Sequence, residues 1–372
     1  MSRRARAKIW AVVFASGLAA CPTSVDRGAK RDAGGLPASR DAGGDRNQSD
    51  PDAGAELPGE AGCPLPCGDP AADPASPGPF AVTVLEDGFD VDSGASGRRV
   101  ELTVYRPDAE APAPVVVLLH GFQLPASLYA SYGEHLASRG FVAVLPDLPG
   151  GLLGGPTHAE LAAYLGEVLD WIEAESGDGG ALEGAADPAR LGLGGHSLGG
   201  KISLLLAADD PRARAVFAID PVDAAKGPLS SEGEDYPSVT PERMGDVTVP
   251  LVLLGETVNA SCEGLFCQPC APADESFRQY YEHATSPALE IEVVGASHMS
   301  FVDDPACGLA CSVCAPGSDD PEVSRALTRR YLTAFFELLL KGDEDARAWL
   351  VGERMAEDVA TGLVVVRSKN GL

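Results

Sequence analysis

Short apolar runs alternate with stretches of helical apolar spacing from residue 81 to residue 340. Residues 114–119 form a nearly continuous apolar run, which is typical of a strand buried on both faces. Residues 159–174 carry apolar side chains every three or four positions, which predicts a helix with one buried face. Strands and helices in alternation predict an α/β fold: a mostly parallel central sheet covered by helices on both faces.

The predicted strands lie at residues 81–85, 100–105, 114–119, 141–145, 191–193, 215–219, 250–254 and 289–294. The predicted helices lie at residues 128–138, 159–174, 198–208, 276–284 and 323–340. We expect the first two strands to be antiparallel, the strand at 289–294 to be the last, and the helix at 323–340 to close the fold. The pattern beyond residue 343 does not decide between helix and loop.

Residues 22–80 have a different composition, rich in Gly, Pro, Ala and Asp and poor in large apolar side chains. Such a segment buries too little apolar surface to offset the entropy of ordering it. We therefore interpret residues 21–80 as a flexible tether. Residues 81–372 are the predicted catalytic domain.

The N-terminus has the features of an export signal. Four basic residues precede an apolar run at residues 9–18, which is shorter than the roughly 20 residues that a membrane-spanning helix needs. The run ends in Leu18-Ala19-Ala20-Cys21, which resembles a bacterial lipobox. We expect residues 1–20 to be a lipoprotein-type signal peptide and Cys21 to be lipidated. An ordinary secretory signal is the alternative. The predicted location is that of an exported, membrane-anchored lipoprotein.

The charge limits the partners that the protein is expected to bind, and the cysteines indicate disulfides or a metal site. The formal net charge of −27 argues against a nucleic-acid partner and against charge-driven membrane binding. We expect membrane contact only through the lipid anchor. In an exported protein, the even number of cysteines beside Cys21 predicts disulfides of unassigned pairing. The spacings Cys267-x2-Cys270 and Cys311-x2-Cys314 leave zinc as an alternative. The eight cysteines are Cys63, Cys67, Cys262, Cys267, Cys270, Cys307, Cys311 and Cys314.

The sharpest motif is Gly195-His196-Ser197-Leu198-Gly199, between an apolar strand and an apolar helix. This is the context of a nucleophile elbow, a tight turn that lifts a serine hydroxyl clear of the sheet. We expect Gly195 and Gly199 to be required because side chains at the flanking positions would clash. Ser197 is the predicted nucleophile. The Leu198 amide, at the start of a helix, is a predicted oxyanion donor.

A serine hydroxyl needs an adjacent base. His298 follows the strand at residues 289–294, and a base there preserves the chain order Ser, acid, His. The acid should follow a late strand and hold the second imidazole nitrogen. Asp220 is the preferred candidate, with Glu256 and Asp223 as alternatives.

The second oxyanion donor should come from the loop after residues 114–119. There the chain reads His120-Gly121-Phe122, and we expect the Phe122 amide to be the donor and His120 to shape the loop. Leu124, Leu128, Met299 and the glycine-rich residues 150–155 are candidates for an apolar substrate pocket. No metal or organic cofactor is expected.

Several segments together resemble the plant and bacterial chlorophyllase group. The resemblance covers roughly residues 98–342 and extends, more loosely, to platelet-activating-factor acetylhydrolases and cutinase-like polyester hydrolases. It implies the α/β-hydrolase fold and matches Ser197, Asp220 and His298 to the nucleophile, acid and base. Leu198 stands where chlorophyllases usually carry arginine, and Ser297 stands where they carry glycine. The segments are 120–146, Ile219-Asp220-Pro221-Val222, 265–272 and 298–304.

These features predict a monomeric serine carboxylic-ester hydrolase, chlorophyllase-like, that acts on an apolar small-molecule or lipid-like ester. A lipase or cutinase-like polyester hydrolase is the first alternative. The second is a surface lipoprotein that binds ligands on a hydrolase scaffold without catalysis, which would not need the complete Ser, acid and His set.

Overall fold

The computed structural model of the protein describes residues 73–94, 97–150, 155–224, 233–261, 269–308 and 311–372. The predicted signal peptide, Cys21 and most of the predicted tether lie outside these residues, as do Cys63, Cys67, Cys262 and Cys267. The predictions made for them stay predictions.

A nine-stranded sheet forms the centre of the fold, in the order β1-β2-β4-β3-β5-β6-β7-β8-β9. Strands β3 to β8 are parallel, whereas β2 and β9 pair antiparallel with their neighbours. The mostly parallel sheet and its antiparallel start are therefore confirmed. The strands are β1 Val82–Asp90, β2 Arg99–Pro107, β3 Ala113–Leu119, β4 Val142–Asp147, β5 Ala186–His196, β6 Ala213–Ile219, β7 Leu251–Glu256, β8 Ala288–Val293 and β9 Val364–Lys369.

Helices cover both faces of the sheet, as predicted. Strand β3 shows the two layers: Val115 and Val117 face the layer that contains α2 and α3. Val116 and Leu118 face the layer that contains α1 and α5. None of the described helices is long and apolar enough to cross a bilayer. The helices are α1 Ala130–Ser138, α2 His158–Ser176, α3 Leu198–Asp209, α4 Phe277–His283, α5 Pro321–Phe336, α6 Ala348–Val351 and α7 Glu353–Ala360.

Local signals explain where the long helices begin. Thr157 caps α2 and forms a reciprocal capping box with Glu160, which satisfies two amides that lack helical partners. Asp320 caps α5, and Pro321 at its first position has no N–H to satisfy. These caps orient two of the helices that pack against opposite faces of the sheet.

Two predictions about the end of the chain are wrong. Strand β8 is not the last strand, because β9 pairs with it antiparallel at the sheet edge. The predicted closing helix at 323–340 ends its α-helical part at Phe336 and continues as a π-helical turn, Glu337–Lys341. Helices α6 and α7 follow. The apolar run of β9 has only Val364 buried, so its sequence carries a weak core signal.

Residues 73–80, at the end of the predicted tether, contact the domain. The carboxylate of Asp73 forms an ion pair with Arg330 on α5. The amides of Gly78 and Phe80 donate to the Ser138 side chain and carbonyl, at 2.9 and 3.0 Å. This segment therefore packs beside α1 and α5.

Candidate active site

The turn between β5 and α3 holds Ser197 in a strained backbone conformation, with φ 55° and ψ −119°. A non-glycine residue at positive φ is costly and persists where the surroundings enforce it. A Cβ on Gly195 would lie 2.5 Å from the Gly199 carbonyl carbon, and one on Gly199 would lie 2.5 Å from the Leu119 oxygen. Neither position has room for a side chain, as expected of an elbow.

Three side chains from distant parts of the chain meet at this turn. The hydroxyl of Ser197 lies 2.9 Å from Nε2 of His298, and Nδ1 of His298 lies 2.6 Å from Oδ2 of Asp220. A carboxylate only accepts, so Nδ1 carries the proton and Nε2 is free to accept from the hydroxyl. Asp220 is fully buried and His298 is 6% exposed. The three residues predicted from sequence are thus brought together.

The two alternative acids make other contacts. The carboxylate of Asp223 forms an ion pair with the buried Lys201, 3.0 Å from its Nζ. It also accepts from the amides of Val239 and Thr240, at 3.0 and 2.7 Å. These contacts fix the segment after β6 against α3 and leave Asp223 away from the imidazole.

Glu256, at the end of β7, forms hydrogen bonds with backbone amides rather than with His298. Its Oε2 accepts from the amides of Val258 and Asn259. Burial, together with the charge of Asp220, raises the pKa of Glu256 to about 7, although those amide bonds and His298 lower it. Oε1 of Glu256 and Oδ1 of Asp220 are both buried without a hydrogen-bond partner among the described residues.

The two residues predicted to supply oxyanion donors line the same pocket. Leu198 begins α3, and Phe122 lies in the turn after β3. Neither amide donates to another described residue. Gln123, next to Phe122, adopts a positive φ of 61°. His120 shapes this loop: it donates to the Gly121 carbonyl at 2.8 Å and accepts from the Leu148 amide at 2.9 Å.

An apolar pocket that is partly open to solvent adjoins these amides. Gly150 lines it, as expected, but Leu124, Leu128 and Met299 do not. Those three side chains pack instead in the hydrophobic layer beside α1 and α5. His158, a residue that the sequence did not single out, closes one side of the pocket. The apolar lining of the pocket consists of Phe122, Leu148, Pro149, Pro156, Leu161, Leu198 and Ile202.

The backbone of His298 is held at both ends. Its amide donates to Oδ1 of Asn259 at 2.7 Å, and its carbonyl accepts from Nε2 of His196 at 2.9 Å. Sequence reasoning missed Asn259, because a lone asparagine after a strand has no distinguishing signal. It placed His196 in the elbow motif without a role.

A disulfide lies next to this support. Cys270 and Cys314 are bonded across 44 residues of sequence. Each of the two cysteines precedes a residue that contacts Asn259. The amide of Ala271 donates to the Asn259 carbonyl at 3.3 Å, and Nδ2 of Asn259 donates to the carbonyl of Ala315 at 3.0 Å. The bridge therefore fixes both segments that hold Asn259.

The described cysteines form disulfides rather than a zinc site. A second disulfide joins Cys307 to Cys311 within the same loop. Among the described residues, no group of three histidine, cysteine, aspartate or glutamate side chains is arranged to hold a metal. The prediction of disulfides is confirmed for these four cysteines.

Comparison with known proteins identifies the family of the chain. The family model for chlorophyllases matches residues 77–361. The chain is 24% identical to chlorophyllase-2 of Arabidopsis thaliana over 258 residues, which span 66% of this chain and 79% of that protein. It is 25% identical to cutinase est2 of Thermobifida alba over 229 residues, which span 61% of this chain and 65% of that protein. The chain belongs to the chlorophyllase family, a family of α/β-hydrolase ester hydrolases.

Proposed function

We propose that the protein is a serine carboxylic-ester hydrolase in which Ser197 is the nucleophile, His298 the general base and Asp220 the acid that orients it. The observation that carries the proposal is the hydrogen-bond chain from Ser197 through His298 to Asp220, at 2.9 and 2.6 Å. A hydroxyl becomes a competent nucleophile when a base takes its proton during attack. The complete set of three groups supports catalysis over the alternative of a ligand-binding lipoprotein.

The reaction has two acyl-transfer steps. The Ser197 oxygen attacks the ester carbonyl carbon while its proton passes to Nε2 of His298. The imidazolium, stabilised by the Asp220 carboxylate, then protonates the departing alcohol as the carbon–oxygen bond breaks. Water attacks the acyl-enzyme by the same route and releases the acid. No metal or organic cofactor takes part.

The amides of Phe122 and Leu198 stabilise the oxyanion that forms in each step. Leu198 directly follows Ser197, and Phe122 lines the same pocket as Leu198. Neither amide has another acceptor among the described residues, as such donors require. Loss of one donor of this kind typically costs about 3 kcal/mol of barrier. Gly195 and Gly199 maintain the elbow that presents the Leu198 amide to the substrate.

The substrate is an apolar ester, because the pocket beside Leu198 is lined mainly by apolar side chains. A chlorophyll-like ester agrees with the family, and a lipid-like ester or polyester is the second candidate. Two observations favour the second: the similarity to a cutinase and the leucine that stands where the elbow of chlorophyllases usually carries arginine.

The disulfides Cys270–Cys314 and Cys307–Cys311 support export, because such bonds persist outside the cytosol.

The lipid on Cys21 is part of the proposal. Metabolic labelling with a palmitate analogue should label the full chain and not Cys21→Ser. Equal labelling of the two would contradict the anchor. The expected monomer can be checked by light scattering of the same preparation.

The function is tested by hydrolysis of p-nitrophenyl esters from acetate to long acyl chains. Ser197→Ala should abolish activity, whereas Ser176→Ala, which removes a hydroxyl at the end of α2, should not. Release of chlorophyllide from chlorophyll and of monomers from a polyester film then separates the two substrate candidates. A folded protein with no activity on any ester would contradict the proposal and favour the binding lipoprotein.

A further inference from the structure

Three consecutive hydrogen bonds join the elbow and the base to the loop His120-Gly121-Phe122, which we call the oxyanion loop. The Gly121 amide lies 3.2 Å from the Tyr129 hydroxyl, which lies 2.7 Å from Nδ1 of His196. On the other side of the same ring, Nε2 lies 2.9 Å from the carbonyl of His298. This series of hydrogen bonds therefore begins at Gly121, one residue before Phe122. It passes through His196, the neighbour of Ser197, and ends on His298.

Each hydrogen in this chain has one possible position. The His298 carbonyl can only accept, so Nε2 of His196 must carry a proton and donate it. The Gly121 amide can only donate, so the Tyr129 oxygen accepts from it. The single hydroxyl proton of Tyr129 is then left for Nδ1 of His196, which accepts it as the unprotonated nitrogen of a neutral ring.

Burial keeps the His196 ring neutral. His196 is fully buried, and burial together with the nearby charge of His298 lowers its pKa well below the usual value, although the bond to the His298 carbonyl acts in the opposite sense. Burial likewise raises the pKa of Tyr129, so its hydroxyl keeps its proton. The donor and the acceptor of each hydrogen bond in the series are thus the same throughout the neutral pH range.

Packing leaves the chain little freedom. The His196 and His298 rings are 4.5 Å apart between centroids. A Cβ on Gly121 would lie 3.0 Å from Nδ1 of His196 and 3.3 Å from the Tyr129 oxygen, so the ring and the hydroxyl lie directly against the oxyanion loop. Tyr129 itself is 1% exposed.

We propose that Tyr129 and His196 are positioning residues: together they keep the Phe122 amide, the Ser197 hydroxyl and the His298 imidazole in register for ester hydrolysis. The inference rests on the proposed function. Neither side chain takes a proton from the substrate or holds the oxyanion. Their contribution is to fix three reacting groups that lie on three separate segments, because a displacement of about 1 Å can cost roughly 100-fold in rate.

Tyr129→Phe tests this role, because it removes one oxygen and leaves the ring in place. We expect kcat to fall by about 10- to 100-fold with KM changed by less than about twofold. Phenylboronic acid, which forms a tetrahedral adduct on a nucleophilic serine, should bind more weakly by a similar factor. Tyr331→Phe is the matched control, since it removes another buried hydroxyl whose bond, to Asp358, lies away from the site.

His196 supplies a second, independent test. His196→Gln keeps a donor and an acceptor on one side chain, whereas His196→Leu keeps neither. We expect the glutamine variant to retain at least about tenfold more kcat than the leucine variant. If the leucine variant does not fold, Tyr129→Phe still decides the question.

The outcomes separate this inference from the proposed function. An inactive wild-type protein, or an active Ser197→Ala variant, would contradict the proposed function. An active wild-type protein that depends on Ser197 but keeps its kcat and its boronic acid affinity in Tyr129→Phe would overturn the positioning role. An equal loss in Tyr129→Phe and Tyr331→Phe, matched by equal losses of thermal stability, would also overturn it.

Discussion

The elbow around Ser197 and the loop that carries His298 differ in how they are held. The elbow is enforced at two glycines of its own motif: a Cβ on Gly195 would meet the Gly199 backbone, and one on Gly199 would meet the backbone at the end of β3. His298 is held from outside its own segment. Its amide and carbonyl bond to Asn259 and His196, which are 39 and 102 residues away in the chain.

The difference shows that the two partners of the proposed proton transfer need not be positioned by the same means. The proposed nucleophile is placed by a steric requirement that falls on two glycines of its own motif, so the motif can be recognised in the sequence. The proposed base is placed by several distant hydrogen bonds, which carry no local pattern, and by a disulfide whose pairing the cysteine spacing left open. A substitution in the elbow should therefore remove most of the activity at once. Substitutions in the groups that hold His298 should each lower the activity only in part.

The largest effect is expected from Gly199→Ala. Its Cβ would lie 2.5 Å from the Leu119 oxygen and 2.6 Å from the His120 oxygen, so the elbow or the oxyanion loop must move. We expect kcat/KM to fall by at least about 100-fold. Gly166→Ala in α2 is the control, because its Cβ would meet only Leu206 at 3.9 Å. Full activity of Gly199→Ala would show that the elbow is not sterically enforced.

Asn259→Ala should give a smaller loss, because it removes one of the two hydrogen bonds that hold the His298 backbone. We expect kcat to fall by roughly 10-fold and the free energy of unfolding to fall by about 1–3 kcal/mol, since a buried amide loses its acceptor. Asn259→Asp keeps an acceptor oxygen and should retain more activity. If the alanine variant keeps full kcat, the carbonyl bond to His196 suffices to place the base.

The double variant Cys270→Ser/Cys314→Ser should lower kcat by a few-fold only, because Asn259 keeps its hydrogen bonds. Its larger effect is on stability: a disulfide that closes 44 residues is worth about 4 kcal/mol or less. The pair Cys307→Ser/Cys311→Ser closes a separation of only 4 residues and is the control. Urea unfolding that gives the same loss for both pairs would contradict a specific role for the longer bridge.

Glu256→Gln should affect activity least, and its effect is on the pH dependence of stability. The pKa of Glu256 rises from 4.5 to about 7 on folding, mainly through burial and the charge of Asp220. The folded chain thus keeps a proton that the unfolded chain releases. This stabilisation is complete below pH 4.5 and is lost as the pH rises to about 7.

Glutamine cannot ionise, so the variant should gain stability relative to the wild type between pH 5 and 8, by up to about 3 kcal/mol. Urea unfolding at both pH values measures the difference. Glu344→Gln, which removes an exposed carboxylate, is the control. A stability difference that does not change with pH would show that Glu256 keeps an ordinary pKa.

Much of the fold could be predicted because periodicity reports burial directly. The parallel strands β3, β4, β6, β7 and β8 were predicted at nearly their observed positions, since strands buried on both faces are continuous apolar runs. Strand β5 was predicted only at residues 191–193 of Ala186–His196, because polar residues and glycines interrupt its apolar pattern. Strand β9 was missed, because an edge strand packs on one face and only Val364 of its valines is buried. Helix α5 was predicted too long, because an apolar repeat does not distinguish its last turns from a π-helical turn.

For the candidate site, the sequence alone predicted the elbow, the position of the proposed base after a strand and a short set of possible acids. These follow from local rules of chain geometry, which neighbouring residues obey wherever the segment lies. Only the tertiary structure decided that Asp220, rather than Asp223 or Glu256, lies against His298. It also brought Asn259, Tyr129 and a disulfide to the site. Such contacts depend on distances between segments far apart in the chain, and no local pattern encodes those distances.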